Sequence, residues 1–322
     1  MKVEYMNALK LLFIASLIFL FLSCRQQNDI LIAVNQYVYH PNLEKTYSGI
    51  QEVVNQWAKE NNKTIKYDFQ VANGDVSIAT QIAQQQVLKG PNLILALATP
   101  SAQASQKATK TVPIVFASVT DPVKAGLVKS IEEPGVNITG SSDQWLYEEQ
   151  FKFLRATLPN AKKIGIILNP GESNTEASMK IIRSLVAKYG FEIVEAPVAS
   201  TMEIFSAANS LVGKCDIFFA PADNTVLSGL EAFVKVARTN NIPLFVGDEG
   251  SVEKGGIAAF GIDYFELGRE TGRLIIDVLE GKDIAKIPVQ IGSSGKLIVN
   301  KEALKFFKIE IPKEYMNSLV ER

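Results

Sequence analysis

At 322 residues the chain exceeds the size at which one hydrophobic core stops growing, so two domains are expected. Its 33 basic and 34 acidic side chains leave a formal net charge of −1, which denies it the basic footprint of a nucleic-acid-binding protein. A hydrophobic content of 47% with 21% charged residues places it among ordinary packed proteins.

The beginning of the chain reads as an address rather than as fold. Lys2 and Lys10 accompany Leu11–Leu22, an apolar run broken only by Ser16. The run falls well short of the ~20 residues needed to cross a membrane and fits the h-region of a signal peptide. Leu22-Ser23-Cys24 follows and resembles a bacterial lipobox, in which the cysteine is lipidated and becomes the first mature residue. Phe21 departs from the small aliphatic residue usual at its position. The alternative is a plain signal peptide or an uncleaved anchor in which Cys24 is incidental. Residues 1–23 are expected to be leader and 24–29 a tether. Cys215 is then the one mature cysteine, which excludes a disulfide framework, and ahead of Asp216–Phe219 it reads as a buried thiol.

From Ile30 onward, β-rich apolar runs alternate with segments of helical period, the pattern of a parallel sheet flanked by helices. Ile30–Val34, Ile65–Phe69, Leu93–Leu97 and Ile114–Phe116 are predicted strands, with helices over Leu43–Ala58, Val76–Leu88 and Ala102–Ala108. Past a Pro- and Gly-containing stretch the alternation restarts. Strands are expected at Ile164–Leu168, Glu192–Ala196, Ile217–Ala220 and Leu244–Val246, and helices at Met179–Lys188, Glu203–Leu211 and Leu227–Arg238. Two such blocks predict an α/β protein of two doubly wound parallel-sheet lobes. The last third extends neither block simply: a strand at Ile257–Phe260, a helix at Tyr264–Leu279 and short strands at Val289 and Leu297–Val299 imply a chain that crosses between lobes. Crossovers near Thr139, Ile262 and Gln290 divide it into lobe 1 (30–138 plus 263–289) and lobe 2 (139–262 plus 290–322).

Open parallel sheets bind ligands beyond the carboxyl ends of their strands. In the first block those ends carry Asn35 and Tyr37, then Thr99-Pro100-Ser101-Ala102, then Ser118. Proline at the first helical position would make Thr99 an N-cap and turn the N–H groups of Ser101 and Ala102 toward an anion. The second block ends its strands in Ser173 and Asn174, Asp223, and Asp248. One wall thus offers hydroxyls and N–H groups and the other adds carboxylates, a division that suits the carboxylate and ammonium of an amino acid. Each residue alone serves equally well as an ordinary helix cap. Among aromatic side chains, Phe116 reads as core, while Tyr37 and Trp145 fit either core or cleft.

Signals of catalysis are thin. His40 is the sole histidine and has no nucleophile elbow beside it; Gly292–Lys296 has the wrong spacing for a phosphate loop; scattered carboxylates do not make a metal site. No cofactor is expected.

Several short motifs recur together in one known group: His40-Pro41, Ala98–Ala102, Pro113–Phe116, Val119–Pro122, Gly126–Val128, Pro134–Gly140, Asn169–Asn174 and Ala222–Asn224. With them the chain resembles the ABC-transporter substrate-binding proteins of the tryptophan/phenylalanine-binding family over nearly all its mature length. The resemblance implies a type I periplasmic-binding fold, two lobes closing by a three-crossover hinge around an aromatic amino acid or related solute. It implies as partners an ABC permease with its ATPase, and places Thr99, Ser101 and Ala102 at the ligand carboxylate with Ser173, Asn174, Asp223 and Asp248 opposite. A receptor of the same fold that feeds a signalling protein is the alternative. The leader, and the lack of a helix-turn-helix before Ile30, disfavour a transcriptional regulator.

Overall fold

The computed structural model describes residues 29–292 and 294–321; the expected leader, Cys24 and most of the tether lie outside the described residues. Strands β1 (Asp29–Gln36), β2 (Thr64–Val71), β3 (Leu93–Leu97), β4 (Ile114–Val119) and β5 (Ile138–Ser142), with the distant β11 (Gln290–Ile291), form one sheet. Its order is β11-β5-β4-β3-β1-β2, and every neighbouring pair runs parallel. β3 and β4 are buried at every residue, as parallel strands covered on both faces must be. Helix α1 (Pro41–Glu60) packs along α10 (Tyr264–Leu279), and α2 (Val76–Leu88) along α3 (Thr99–Ala108).

The second sheet has the order β7-β6-β8-β9, again parallel, from β6 (Lys163–Leu168), β7 (Glu192–Pro197), β8 (Ile217–Phe219) and β9 (Leu244–Phe245). Backbone bonds from Ile257 to Leu244 (2.8 Å) and from Val246 to Ala258 (3.3 Å) carry the ladder on to β10 (Ala258–Ile262). β10 pairs antiparallel with β12 (Ser294–Val299), which pairs parallel with β13 (Leu319–Glu321). The buried apolar side chains divide accordingly, one cluster spanning Trp145 to Tyr315 and two others belonging to the first sheet. Each lobe therefore has its own core.

The chain passes between lobes three times: after β5, between β10 and α10, and between β11 and β12. The first and third passages fall a few residues beyond Thr139 and Gln290. Thr139 and Gly140 pair with β4, and Gln290–Ile291 pair with Ser141–Ser142, so all of them belong to the lobe 1 sheet. The polar run Thr139–Ser142 carries little strand signal. It forms a strand because Gly140 lets β5 close on β4: a Cβ there would stand 2.0 Å from the Phe116 carbonyl oxygen.

Two helices also begin or break elsewhere than expected. α3 starts at Thr99, with Ala98 as its N-cap at φ +77° and no side-chain capping bond, so Thr99 is inside the helix. The helix expected over Leu227–Arg238 divides at Gly229 into α7 (Asn224–Ser228) and α8 (Leu230–Thr239). At Gly229 a Cβ would meet Ile204 Cδ1 at 2.4 Å.

α10 is docked on lobe 1 by glycines. A Cβ at Gly268 would lie 2.1 Å from the Thr46 carbonyl oxygen, and one at Gly49 would lie 2.2 Å from that of Phe265. Backbone oxygens cannot swing aside as a flexible side chain can. Gly268→Ala therefore forces the two helices apart and lowers unfolding free energy by about 1–3 kcal/mol, read as a fall in the urea midpoint.

Candidate ligand-binding cleft

The carboxyl ends of the two sheets face one another across a cleft. Lobe 1 lines it with His40, Asn42, Leu43, Thr99, Ser118 and Thr120, and lobe 2 with Asn174, Ala222, Asn224 and Leu227. Asp143, Trp145 and Tyr264 complete the lining from segments that connect the lobes.

These last three form a chain of hydrogen bonds. The Trp145 indole N–H donates to the Tyr264 hydroxyl oxygen at 3.1 Å, and that hydroxyl donates to Asp143 Oδ2 at 3.0 Å. Asp143 Oδ1 is buried without a partner. Burial raises the Asp143 carboxyl to about 6, although the Tyr264 hydrogen bond and a backbone N–H act in the other direction. One carboxylate oxygen is thus tied down, and its twin lies buried at the edge of the cleft.

On the lobe 2 side, Glu172 organises the wall. It is 1% exposed and accepts from Asn174 Nδ2, from the Asn224 backbone and side chain, and from the Thr225 backbone and hydroxyl, at 2.6–3.1 Å. Asn174 Nδ2 also donates to the Ala222 carbonyl oxygen at 2.9 Å. Both partners can only accept, which fixes the amide orientation and leaves Asn174 Oδ1 as the buried unpartnered atom. Two acceptors from different walls, Asp143 Oδ1 and Asn174 Oδ1, therefore await donors.

Among the residues singled out from the sequence, Thr99, Ser118 and Asn174 reach the cleft together. Thr99 is not spent on capping, because Ala98 starts the helix. Ser118 is partly committed: Thr46 gives its proton to the Asn42 carbonyl oxygen, so Ser118 donates to Thr46 Oγ1 at 3.1 Å. Ser118 also holds φ +55°, and with Ala98 it puts two left-handed residues at adjacent strand ends. Such strain persists where the surroundings enforce it, and it concentrates at binding sites.

The other expected residues serve the scaffold. Ser101 Oγ donates to Asn35 Oδ1 at 3.1 Å and Asn35 Nδ2 to the Ala79 carbonyl oxygen at 2.9 Å, a network sealed inside lobe 1. Ala102 packs in the core, and Tyr37 is 1% exposed with its hydroxyl on the Gly74 carbonyl oxygen. Asp223 caps α7 through Val226 N–H and spends its second oxygen on Asn169 N–H and the Thr175 hydroxyl. Burial, then the Glu172 carboxylate, push the Asp223 carboxyl to about 8. Asp248 caps α9 (Glu249–Glu253) through Ser251 N–H, takes the Ser251 hydroxyl, and receives Asn42 Nδ2 from the opposite lobe at 2.7 Å. Neither aspartate lines the cleft.

The Asn42–Asp248 bond is one of several ties across the gap. Lys45 reaches Glu253 at 3.2 Å, and Ser173 Oγ donates to Gln103 Oε1 at 3.2 Å. The lobes are therefore drawn together. His40, Asn42, Asp143 and Glu172 were not expected as parts of the site. His40 signals itself only as the lone histidine before a helix-starting proline. Among the described residues no cluster of His, Cys, Asp or Glu could hold a metal ion, and no helix is long and apolar enough to cross a membrane.

Comparisons with known proteins agree with this geometry. A family model described as ABC transporter substrate binding protein matches residues 31–320. The tyrosine-binding protein of Clostridioides difficile strain R20291 is 40% identical over 283 residues, covering 88% of this chain and 81% of that protein. The crystal structure of an ABC domain from Streptococcus pneumoniae in complex with L-Trp is 34% identical with a TM-score of 0.86, over 91% of this chain and 99% of that one. The ligand-free, open structure of CD0873, a substrate binding protein with adhesive properties from Clostridium difficile, is 35% identical over the same shares, yet its TM-score is 0.66. At near-equal identity the chain superposes better on the ligand-bound structure than on the ligand-free, open one. The chain belongs to the ABC transporter substrate-binding protein family, with the α/β fold of the type I periplasmic-binding proteins.

Proposed function

We propose that the protein is an extracytoplasmic, lipid-anchored receptor that captures an aromatic amino acid between its lobes and delivers it, closed, to an ABC permease. The observation that carries the reading is Asp143 Oδ1, a buried carboxylate oxygen without a partner at the cleft, bracketed by Trp145 and Tyr264. An α-ammonium would satisfy it, and Asn174 Oδ1 from the other lobe would accept a second N–H of the same group. The Thr99 and Thr120 hydroxyls would face the ligand carboxylate, and Trp145, Leu43 and Leu227 would supply apolar surface for a ring. A ligand held by both walls favours the closed form by the difference in its affinity for the two states. The names of the similar proteins, one tyrosine-binding and one crystallised with L-Trp, support the ligand class.

Titration calorimetry with L-tyrosine, L-tryptophan and L-phenylalanine tests the reading directly. Asp143→Asn should weaken binding by two or more decades, the scale of ~3–5 kcal/mol for stranding one charge of a buried pair. Asp223→Ala should instead lower thermal stability, by about 1–2 kcal/mol for a lost cap, with affinity in the folded protein kept. Normal binding by Asp143→Asn would remove the ammonium assignment and leave a neutral solute as the better reading.

The pH dependence has a definite sign. The Asp143 carboxyl titrates near 6 because it is buried, and the groups that bear on it are the Tyr264 hydroxyl and Asp248. An ammonium binds the ionised form, so affinity should be full above about 6 and fall by up to about tenfold per pH unit below it. Asp143→Asn should flatten that fall.

The anchor has its own test. Cys24→Ala should abolish lipid labelling and move the protein from the membrane to the soluble fraction. Membrane retention in that variant would instead indicate an uncleaved leader.

A further inference from the structure

His40 has a task that capping does not exhaust. It is the only histidine of the chain, is 5% exposed, and lines the cleft. Its Nδ1 accepts the Asn42 N–H at 3.3 Å at the start of α1. A ring nitrogen that accepts carries no proton, so the neutral imidazole bears its hydrogen on Nε2. Burial holds the ring neutral, pushing its pKa down to about 4; Asp248 opposes that shift, and Lys254 and Lys45 add to it. Nε2 is buried with no partner, so a fixed N–H donor stands unanswered on a residue that lines the cleft.

The surroundings decide which ligand atom answers it. Asp248 lies beside His40 and holds Asn42 Nδ2 at 2.7 Å, with no exposure to water. A ligand carboxylate here would meet a like charge in a dry setting, whereas a neutral oxygen would not. Asn42 points its amide nitrogen at a carboxylate, which can only accept, so the atom left over is Oδ1, also buried and unpartnered. The start of α1 thus presents one donor and one acceptor. A carboxylate only accepts, while a hydroxyl accepts and donates.

We propose that His40 is a specificity-determining residue whose Nε2–H donates to the side-chain hydroxyl of the ligand, so that a phenol is preferred to an unsubstituted ring. This rests on the reading of the cleft as an aromatic amino-acid site. Asn42 Oδ1 receives the proton of the same hydroxyl, and both buried atoms are satisfied together.

The test compares L-tyrosine with L-phenylalanine on the full-length protein by titration calorimetry. Wild type should prefer L-tyrosine by at least about 100-fold, since a site built for a hydroxyl leaves its own polar groups unpaired when the hydroxyl is missing. His40→Asn keeps a capping side chain for α1 but removes the ring donor. It should bring the two affinities to within about fivefold, by losing L-tyrosine binding while L-phenylalanine binding is kept. The lone imidazole also gives a readout without mutation: its ¹⁵N spectrum should show the Nε2–H tautomer, and L-tyrosine but not L-phenylalanine should move the Nε2 signal. Equal loss of both ligands in His40→Asn, or equal affinity of wild type for both, would overturn the assignment. Wild type that binds L-tyrosine, L-phenylalanine and L-tryptophan without preference sinks the His40 inference alone. Wild type that binds none of the three sinks the aromatic amino-acid reading with it.

Discussion

The hydroxyl of Tyr264 is the atom on which the cleft turns. It accepts from Trp145 and donates to Asp143, and both partners arrive from a different passage of the chain between lobes than its own. Asp143 and Trp145 follow β5 at the first passage, while Tyr264 begins α10 just after the second. The connecting segments therefore line the cleft as well as joining the lobes. All three residues are at most 8% exposed, so the relay forms away from competing water. Under the proposed function, a ligand that completes the Asp143 valence would act on the segments that join the lobes.

Lobe 2 faces the cleft with a polar cluster that would be costly if any member lacked a partner. Glu172 and Asp223 are buried close enough for one charge to raise the other's pKa. Their oxygens are covered by backbone N–H groups at the start of α7 and by Thr175, Thr225, Asn174 and Asn224. Such a network fixes side-chain positions more firmly than apolar packing would, because each displaced atom forfeits a hydrogen bond in a dry setting. The rigid platform that results holds Asn174 and Asn224 at the cleft.

The two-lobed plan was legible because parallel strands buried on both faces, such as Leu93–Leu97, read as short apolar runs between amphipathic helices. The strand ends were legible too, and Thr99, Ser118 and Asn174 followed from them. What stayed hidden is the use of the second oxygen of a capping aspartate. Asp223 and Asp248 look alike in sequence to a ligand contact, and only tertiary structure delivers Asn169 N–H to one and Asn42 to the other. Asp143 was missed because it follows Thr139–Ser142, a strand without apolar alternation that forms through its neighbour β4. Glu172 was visible as one residue of a polar loop, but nothing local says that five donors converge on it. His40 read as part of a motif, since which imidazole nitrogen is left over depends on the cap it makes.

The docking of α10 on α1 through Gly49 and Gly268 bears on how the chain becomes a protein during export. Lobe 1 is interrupted by the whole of residues 143–262, and its sheet lacks β11 until Ile291 has emerged. Lobe 2 in turn waits for β12 and β13 near the end of the chain. Neither half closes its sheet as a contiguous piece, and lobe 1 is finished by the pairing of Gln290–Ile291 with Ser141–Ser142, a contact between distant parts of the chain of the kind that forms late. A chain threaded through a membrane from its N-terminus would present the α10-facing side of α1, with Ile50 and Val54 on that helix, to solvent for most of its passage. An extracytoplasmic chaperone that shields apolar helices would have its longest opportunity there, before residue 264 arrives to cover it.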